Sequence, residues 1–551
     1  PLPTPPDFPV TWEQPGDEQI FWTMDRMHFP TQVAPLADSF LRTVFERSFN
    51  QGVGVYGAPI RAMARRFNTY HYEHMGPPPL PPEELAAMGE QAQPRISAVM
   101  GRLLATWQQD WLPAIQHELN ALAAFDLQGA DQSAFIAHFA ETMRRHERLW
   151  AIHFEMAAPF LLSMSLFQDV HRDLLGGDDA FDAFRLLQGF DNETLRANRA
   201  LWRLSQSVTA SPELRRLVLE TPAADVPAAL ASAADGPAFL AKLDAYLDEF
   251  GKRGSNFADV DQPSWREHPT PAIEALKGYI VGDGADPEEE RAALAASREE
   301  LLARTRERLR GYPEQAVGQF EFLLKAAQEA VVLSEDHGWY IDWRGLYEVR
   351  QVLLEAGRRL AAAGTLAARD DVFFLSFEEA QEALAAPGDQ WQAIIVARQA
   401  EWDHFGAIAP PPVVGTLPSG PPPDDPMVRA LGKFFGGPPP QAETRGVIRG
   451  NAGSPGHVTG RAVVARSLAD AGRLRPGDIL VAETTAPPWT PLFISAAAVV
   501  TDTGGILCHS AVVAREYRIP AVVGTGMATA IIPDGATIEV DGNAGTVRIV
   551  A

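Results

Sequence analysis

The fold of the C-terminal region is decided by the stretch Thr501-Asp-Thr-Gly-Gly-Ile-Leu-Cys-His-Ser-Ala-Val-Val-Ala-Arg-Glu-Tyr-Arg-Ile-Pro-Ala-Val-Val-Gly524. The apolar segment just before it, 496–500, is typical of a buried strand, and 519–523 predicts a second one. Between these strands, residues 510–517 have the pattern of a short helix. His509 is therefore predicted at the point where a glycine-rich turn opens into a helix.

This position gives His509 two possible roles. Backbone N–H groups at a helix N-terminus favour an anion, and Gly504 and Gly505 allow close approach of the chain. A neutral imidazole held there could accept a phosphoryl group, whose negative charge the helix dipole would stabilise. The other role is a histidine that caps the helix beside a tight turn. The neighbouring Cys508 could likewise be a thiol activated by the helix N-terminus, or a residue that only packs.

A longer ordered pattern decides between the two roles of His509. The residues that carry it are Thr503-Gly504-Gly505, His509, Ala511, Ala514-Arg515-Glu516 and 519–524, with Pro476-Gly477-Asp478 and Trp489-Thr490-Pro491-Leu492 upstream. They resemble the phosphohistidine (swivelling) domain of the phosphoenolpyruvate-utilising enzymes, a group that includes rifampin phosphotransferase. The resemblance implies that His509 carries a phosphoryl group.

Residues around His509 are candidates for binding that phosphoryl group. They are Thr503, Gly504, Gly505, Ser510 and Arg515. The hydroxyls of Thr503 and Ser510 could hydrogen-bond the phosphoryl oxygens or fix the imidazole ring. Arg515 could pair with the phosphate, or it could form a structural ion pair with Glu516.

Composition limits the kind of protein and its partners. A chain of 551 residues is too long for one hydrophobic core. The formal net charge of −24 disfavours nucleic-acid and membrane partners, because these require a basic surface. A single cysteine and a start without a secretory pattern predict a cytoplasmic location. No segment approaches the roughly 20 consecutive apolar residues of a membrane helix.

Residue patterns divide the chain into four segments, and the fold class they predict is multidomain α and α/β. The segments are a Pro-rich arm with a mixed opening segment (1–80), a large mainly α-helical acceptor-binding domain (81–408), a Pro-rich linker (409–440) and a C-terminal α/β swivelling phosphohistidine domain (441–551). The linker suits a carrier domain that travels between two sites, and equally an ordinary interdomain spacer.

Periodicity places elements inside these segments. Helices are predicted over 36–50, 111–125, 132–156, 192–208, 237–250, 288–309, 315–334 and 346–363. Strands are predicted over 66–72, 460–465, 478–482, 497–501 and 521–523, with a closing hairpin over 537–549 that turns at residues 541–543.

The family resemblance extends loosely over 240–385 and implies that the acceptor binds the helical domain. Transfer needs a base that deprotonates a hydroxyl and a cation that neutralises phosphoryl oxygens. Candidates for the base are His337, Glu335 and His71, and candidates for the cation are Arg253, Lys252 and Arg350. His146 and His153, on one predicted helix, could line the pocket or simply pack. Two histidines at that spacing do not predict a protein-bound metal.

Neither a Walker-type motif nor an ATP-grasp pattern occurs in the sequence. In the family, an ATP-grasp domain binds ATP with Mg²⁺, and the histidine takes the β-phosphate. We therefore expect a split form of the enzyme. ATP and Mg²⁺ would bind a separate ATP-grasp subunit, and this chain would hold neither stably.

The split members of the family, phenylphosphate synthase and the hydroxyphenylethanone (acetovanillone) kinases, phosphorylate phenolic compounds. The resemblance therefore implies a small phenolic acceptor and a role in the catabolism of aromatic compounds. The aromatic and methionine residues of 20–30 and Trp339-Tyr340 suit a flat acceptor, or are plain core. The alternative is a non-catalytic binding or regulatory protein that keeps the phosphohistidine-domain fold.

Overall fold

The computed structural model describes residues 2, 5–176, 181–254, 260–282, 286–418, 420, 425–437 and 446–550. The chain divides into two compact units. The first comprises Pro1–Pro159, Asn256–Gln262 and Tyr340–Pro423, and the second Phe160–Ser255, Pro263–Trp339 and Asp424–Ala551. The content of long helices and two sheets confirms the predicted class, multidomain α and α/β. The predicted segment boundaries at 80, 408 and 440 stay predictions.

Helices make up most of the described chain. The α-helices are α1 (Pro35–Arg42), α2 (Phe49–Gly54), α3 (Pro82–Met100), α4 (Leu103–Thr106), α5 (Leu112–Ala123), α6 (Gln132–Leu175), α7 (Asp182–Arg185), α8 (Glu193–Thr209), α9 (Pro212–Glu220), α10 (Val226–Ala231), α11 (Gly236–Phe250), α12 (Thr270–Val281), α13 (Pro287–Arg308), α14 (Glu314–Gly338), α15 (Leu346–Ala362), α16 (Phe377–Ala385), α17 (Gln390–Gly406), α18 (Pro426–Phe435), α19 (Leu468–Ala471), α20 (His509–Glu516) and α21 (Ala528–Ile531). Short 3-10 segments cover Asp17–Gln19, Ala223–Asp225, Arg369–Phe374 and Pro487–Ile494, and π-helical segments cover Thr43–Ser48, Trp107–Trp111 and Trp339–Gly345.

The predicted helices are present, with ends that differ mostly by a few residues. The predictions over 237–250 and 288–309 correspond to α11 and α13. The prediction over 132–156 stopped too early, since α6 continues to Leu175. By length and composition α6 could cross a membrane, and 67% of its apolar window is buried inside the protein.

A four-stranded antiparallel sheet forms the β part of the first unit. Its strands are β1 (Phe21–Met24), β2 (Arg61–Phe67), β3 (Tyr70–Gly76) and β4 (Val413–Gly415), in the spatial order β2-β3-β1-β4. Its core consists of Phe8, Trp22, Met24, Phe67, Tyr70, Tyr72 and Val414. Because Met24 pairs with Tyr72, the residue that follows β1 is directed towards His71 on β3.

The segment 66–72, predicted as one strand, is a hairpin. Asn68 and Thr69 have φ angles of 48° and 75°, so the backbone turns through the left-handed region there. The chain then reverses, and Phe67 pairs with Tyr70. The prediction of a single strand is therefore wrong. Apolar residues flank the turn on both sides and no glycine marks it, which hid it in the sequence.

An eight-stranded sheet forms the β part of the second unit. Its strands are β5 (Val447–Arg449), β6 (Asn451–Ser454), β7 (His457–Ala465), β8 (Asp478–Ala482), β9 (Ala496–Thr501), β10 (Ala521–Val523), β11 (Thr537–Asp541) and β12 (Thr546–Ile549), in the order β5-β12-β11-β7-β8-β9-β10-β6. The strands β7 to β10 run parallel, and the other pairs are antiparallel. Ligand sites in parallel sheets lie beyond the carboxyl ends of the strands, which here means after β8 and β9.

The segment predicted as a Pro-rich linker contains regular structure. Strand β4 pairs with β1, and the Asp425 side chain caps the N-terminus of α18 by accepting the N–H groups of Met427 and Val428. The triplets 421–423 and 438–440, which suggested a spacer, lie outside the described residues.

Candidate phosphoryl-carrier site

The glycine-rich turn after β9 is held against the C-terminus of α18. The N–H of Gly505 donates to the Phe434 carbonyl, and the N–H of Leu507 donates to the Lys433 carbonyl, both at 2.8 Å. A Cβ on Gly505 would lie 2.2 Å from the Lys433 oxygen, so only glycine fits. The amide of Gly505, predicted to face a phosphoryl group, thus has a protein acceptor in this structure.

Gly504 is needed for a different reason. Its φ angle is +97°, and a Cβ there would lie 2.6 Å from Sγ of Cys508. Cys508 itself is buried, and burial raises the pKa of its thiol. A protonated, enclosed thiol favours packing over nucleophilic chemistry.

His509 is the first residue of α20, and its ring lies between two groups from other parts of the chain. Nδ1 is 3.4 Å from Oε1 of Glu335 on α14, and Nε2 is 3.2 Å from Oγ1 of Thr490. The His509 side chain is only 11% exposed. Because both ring nitrogens face groups outside α20, the geometry does not fit a histidine that caps its own helix.

Glu335, predicted as an acceptor-site base, instead lies against the carrier histidine. Burial raises the pKa of its carboxyl, but the charge and hydrogen bond of His509, a hydrogen bond from Thr194 and the charge of His337 outweigh this and lower it. Thr194 Oγ1 donates to Oε2 of Glu335 at 2.8 Å. An ionised Glu335 is therefore fixed in position beside Nδ1 of His509.

The residues next to Glu335 stabilise α14 and α8. Asp336 accepts the N–H of Glu193 at 2.8 Å, at the first turn of α8, and burial raises the pKa of Asp336 to about 7. His337, the other predicted base on α14, donates from Nδ1 to the Leu333 carbonyl at 2.6 Å. That bond uses one ring nitrogen of His337 within its own helix.

The remaining predicted phosphoryl-binding residues hold the turn together. Thr503 Oγ1 donates to the Glu483 carbonyl, and Ser510 Oγ lies 2.7 Å from Oγ1 of Thr485. Arg515 is buried, which lowers its pKa to about 10. Its guanidinium donates to the carbonyls of Gly453 and Ile506 and stacks 3.9 Å from the Phe184 ring. A role of these three residues towards a phosphate stays a prediction.

The candidate cations of the acceptor site belong to different units of the chain, Lys252 and Arg253 to the second and Arg350 to the first. Arg253 is buried in the second unit, where it donates to the Tyr246 hydroxyl and lies 3.9 Å above the Trp265 ring. Its neighbour Lys252 is half-buried. Arg350 belongs to the first unit and donates to the Val260 carbonyl.

His71, the last candidate base, is fully buried in the first unit between aromatic rings. Its ring centroid lies 4.8 Å from Phe29 and 5.2 Å from Phe45. Burial lowers the pKa of His71 to about 4, so its imidazole is neutral. Of the two histidines on α6, His146 is buried against Phe40, and His153 lies 3.1 Å from Asp342.

Sequence reasoning missed the threonines that complete the carrier site. Thr490 lies in a stretch that carried the family resemblance, which was a usable signal. Thr194 and Thr485 had no signal, since a hydroxyl at a helix start or after a strand is common. The pair Asp25 and His28 was also missed, because an acid and a histidine three apart form no recognised motif.

Comparisons with known proteins agree with the carrier geometry. Residues 153–335 match the rifampicin phosphotransferase fourth domain, and residues 474–545 match the mobile domain of PEP-utilising enzymes. The chain therefore belongs to the PEP-utilising, rifampicin phosphotransferase-like family, which confirms the resemblance seen in the sequence.

Individual relatives cover different shares of the chain. Chondramide synthase cmdD from Chondromyces crocatus is 38% identical over 559 residues, which is 100% of this chain and 14% of that protein. The uncharacterized phosphotransferase YvkC from Bacillus subtilis is 30% identical over 432 residues, 76% of this chain and 50% of that protein. A rifampicin phosphotransferase from a Streptomyces species is 33% identical over 317 residues, 56% and 34% respectively. The chain thus spans half or less of the length of these relatives.

Proposed function

We propose that this chain is part of an ATP-dependent, dikinase-type phosphotransferase in which His509 carries a phosphoryl group to a hydroxyl of a small phenolic acceptor. The donor is ATP bound with Mg²⁺ to an ATP-grasp partner subunit. His509 keeps the β-phosphoryl group, AMP leaves with the α-phosphoryl group, and water takes the γ-phosphoryl group as phosphate. The overall reaction converts ATP, acceptor and water into AMP, phosphate and phosphorylated acceptor.

The observation that carries the proposal is the orientation of the His509 ring. Nδ1 faces the ionised carboxylate of Glu335, so in neutral imidazole the Nδ1–H donates there and the lone pair lies on Nε2. Nε2 lies beside the Thr490 hydroxyl, at the N-terminus of α20. A nucleophilic nitrogen at a helix N-terminus suits transient attachment of an anionic phosphoryl group.

A labelling experiment tests the carrier role. The chain is mixed with an ATP-grasp partner, Mg²⁺ and ATP that is radiolabelled at the β-phosphate. Acid-labile, base-stable label is expected on the wild-type chain and not on His509→Ala. His457→Gln is the matched control, because His457 is an exposed histidine on β7 that pairs with Glu539 on β11.

The donor and the carrier can be tested separately. Phosphoramidate phosphorylates histidine chemically, so it should label His509 without ATP or a partner. Equal acceptor phosphorylation by wild type and His509→Ala would refute the carrier role. Label from phosphoramidate, but none from ATP with any partner, would refute the donor part of the proposal alone.

A further inference from the structure

The first unit contains a group of ionisable side chains that the carrier site does not use. Asp25 follows β1 directly, and its Oδ2 lies 2.6 Å from Nδ1 of His28. Its Oδ1 accepts the backbone N–H groups of Met27 at 3.1 Å and His28 at 3.0 Å. The loop thus folds around the carboxylate, which fixes the His28 ring in one orientation.

A second acid–histidine pair belongs to the same unit. Nδ1 of His153, on α6, lies 3.1 Å from Oδ1 of Asp342, which is 1% exposed. Asp342 lies in a π-helical segment, a local distortion that is frequent at functional sites. Ring contacts link the two pairs, because Phe45 packs against His71 and against Phe154, and Phe154 packs against His153.

Two uncharged polar side chains lie beside the Asp25–His28 pair. Neither ring nitrogen of His71 has a hydrogen-bond partner, and neither has Oε2 of Glu73. Burial raises the pKa of Glu73 well above its usual value, which favours the protonated carboxyl. An unpaired buried polar group destabilises the fold, so several such groups together indicate a ligand site.

Two members of the cluster are partly exposed, and aromatic rings pack against it. The side chains of His28 and His153 are 20% and 15% exposed. Phe154 is half-buried, with its ring 4.9 Å from His153 and 6.3 Å from Phe45. Aromatic rings beside convergent polar groups form the kind of surface that binds an aromatic alcohol.

We infer that this cluster is the acceptor site and that His28, oriented by Asp25, is the base that deprotonates the acceptor hydroxyl. The inference rests on the proposed function and names the site at which its second half takes place. It replaces none of the carrier chemistry, because the phosphoryl group still arrives on His509.

In neutral His28 the Nδ1–H donates to Asp25, so the lone pair lies on Nε2. The acceptor proton moves to Nε2, and the oxygen electron pair forms the new P–O bond. The P–N bond of phosphohistidine breaks, and its electron pair returns to the His509 imidazole. The Asp25 carboxylate stabilises the imidazolium that forms on His28.

The charges around His28 fix the pH dependence. Burial lowers the pKa of His28, but Asp25 and then Asp342 raise it more, so it lies above the usual 6.5. His71 also faces Asp25 and is neutral, while His153 is paired with Asp342. Since the base must be neutral, transfer should rise with pH through a pKa above 6.5.

The test separates proton removal from binding by using two probes. Phenol keeps its proton at mildly alkaline pH, whereas 4-nitrophenol has largely lost it. The full chain is phosphorylated with phosphoramidate, and transfer to each probe is measured. His28→Gln should slow transfer to phenol about 10²- to 10³-fold and transfer to 4-nitrophenol much less. Asp25→Asn should move the rising limb to lower pH, and His457→Gln should change neither rate.

Several results would overturn the inference. One is wild-type transfer to phenol by His28→Gln, and another is an equal loss with both probes. Should the variants fail to fold, NMR titration of ¹³C-labelled histidines in the wild-type chain decides, and a His28 that titrates below 6.5 contradicts the assignment. Label on His509 is measured in every sample. Its absence from wild type would refute the proposed function and this inference together. Normal label on His509, combined with a wild-type rate of transfer to phenol by His28→Gln, would refute this inference alone.

Discussion

Replacing Glu335 by glutamine should slow the phosphorylation of His509. The change removes the negative charge beside Nδ1 but keeps a side chain of the same size that can still accept the Thr194 hydroxyl. When Nε2 takes up a phosphoryl group, positive charge develops on the imidazole, and the carboxylate stabilises it. Without the charge, the imidazole loses both this stabilisation and the acceptor that holds its Nδ1–H.

The geometry sets the size of the effect. A hydrogen bond to a charged group contributes about 1.5–3 kcal/mol. The separation of 3.4 Å is longer than the usual N–H···O distance, which places this bond at the lower end, about 1.5 kcal/mol. A change of that size in the barrier corresponds to about a tenfold lower rate.

The rate is best measured by single-turnover phosphorylation with phosphoramidate, since this donor bypasses any partner. Asp336→Asn is the matched control: it removes the adjacent carboxylate, which faces the N–H of Glu193 and not the imidazole. Thermal unfolding of both variants establishes that they are folded. A Glu335→Gln protein that is phosphorylated at the wild-type rate, while Asp336→Asn is also unchanged, would show that Glu335 does not act on the carrier nitrogen.

Three further predictions concern stability. Gly505→Ala should destabilise by about 2–3 kcal/mol because its Cβ would lie 2.2 Å from the Lys433 oxygen, and denaturant unfolding should show no such loss for Gly437→Ala, which has open space. Asp336 has a pKa raised from 3.8 to about 7, so the folded state binds its proton more tightly and stability falls as pH rises between these values. Asp336→Asn should therefore flatten the dependence of unfolding free energy on pH in that window, and an unchanged slope would contradict the assigned pKa. Arg515→Lys should lower the free energy of unfolding by about 2 kcal/mol, since lysine lacks the planar guanidinium that stacks on the buried Phe184 ring; a melting temperature equal to that of wild type would contradict this.

The features that depend on local sequence could be predicted. Periodicity placed α11, α13, β8 and β10 within a residue or two, because burial of one face repeats at a fixed spacing. The position of His509 at the start of α20 followed from the glycines before it. These are short-range constraints, and a single sequence contains them.

Partners across long sequence separations could not be predicted. Glu335 was recognised as an ionisable residue of interest, but nothing in the sequence joins it to a histidine 174 positions away. The same limit hid Asp342, whose contact with His153 depends on how separate helices pack. For Arg515 the residue type suggested a phosphate ligand. Only the tertiary structure shows that its Nη1 donates to two backbone carbonyls.

The bonds between α18 and the glycine-rich turn have a consequence for dissecting the protein. A fragment that begins at residue 441 would contain every strand of the eight-stranded sheet, yet the amides of Gly505 and Leu507 would lose their acceptors. A fragment that begins at Asp425 would keep them, together with Lys433, which otherwise binds Asp169 and the Ser165 carbonyl. The smallest fragment that keeps these bonds therefore includes α18, which lies in the segment predicted as the Pro-rich linker. Displacing that piece from α6 breaks the Lys433 contacts, while the bonds between α18 and the histidine loop stay within the piece.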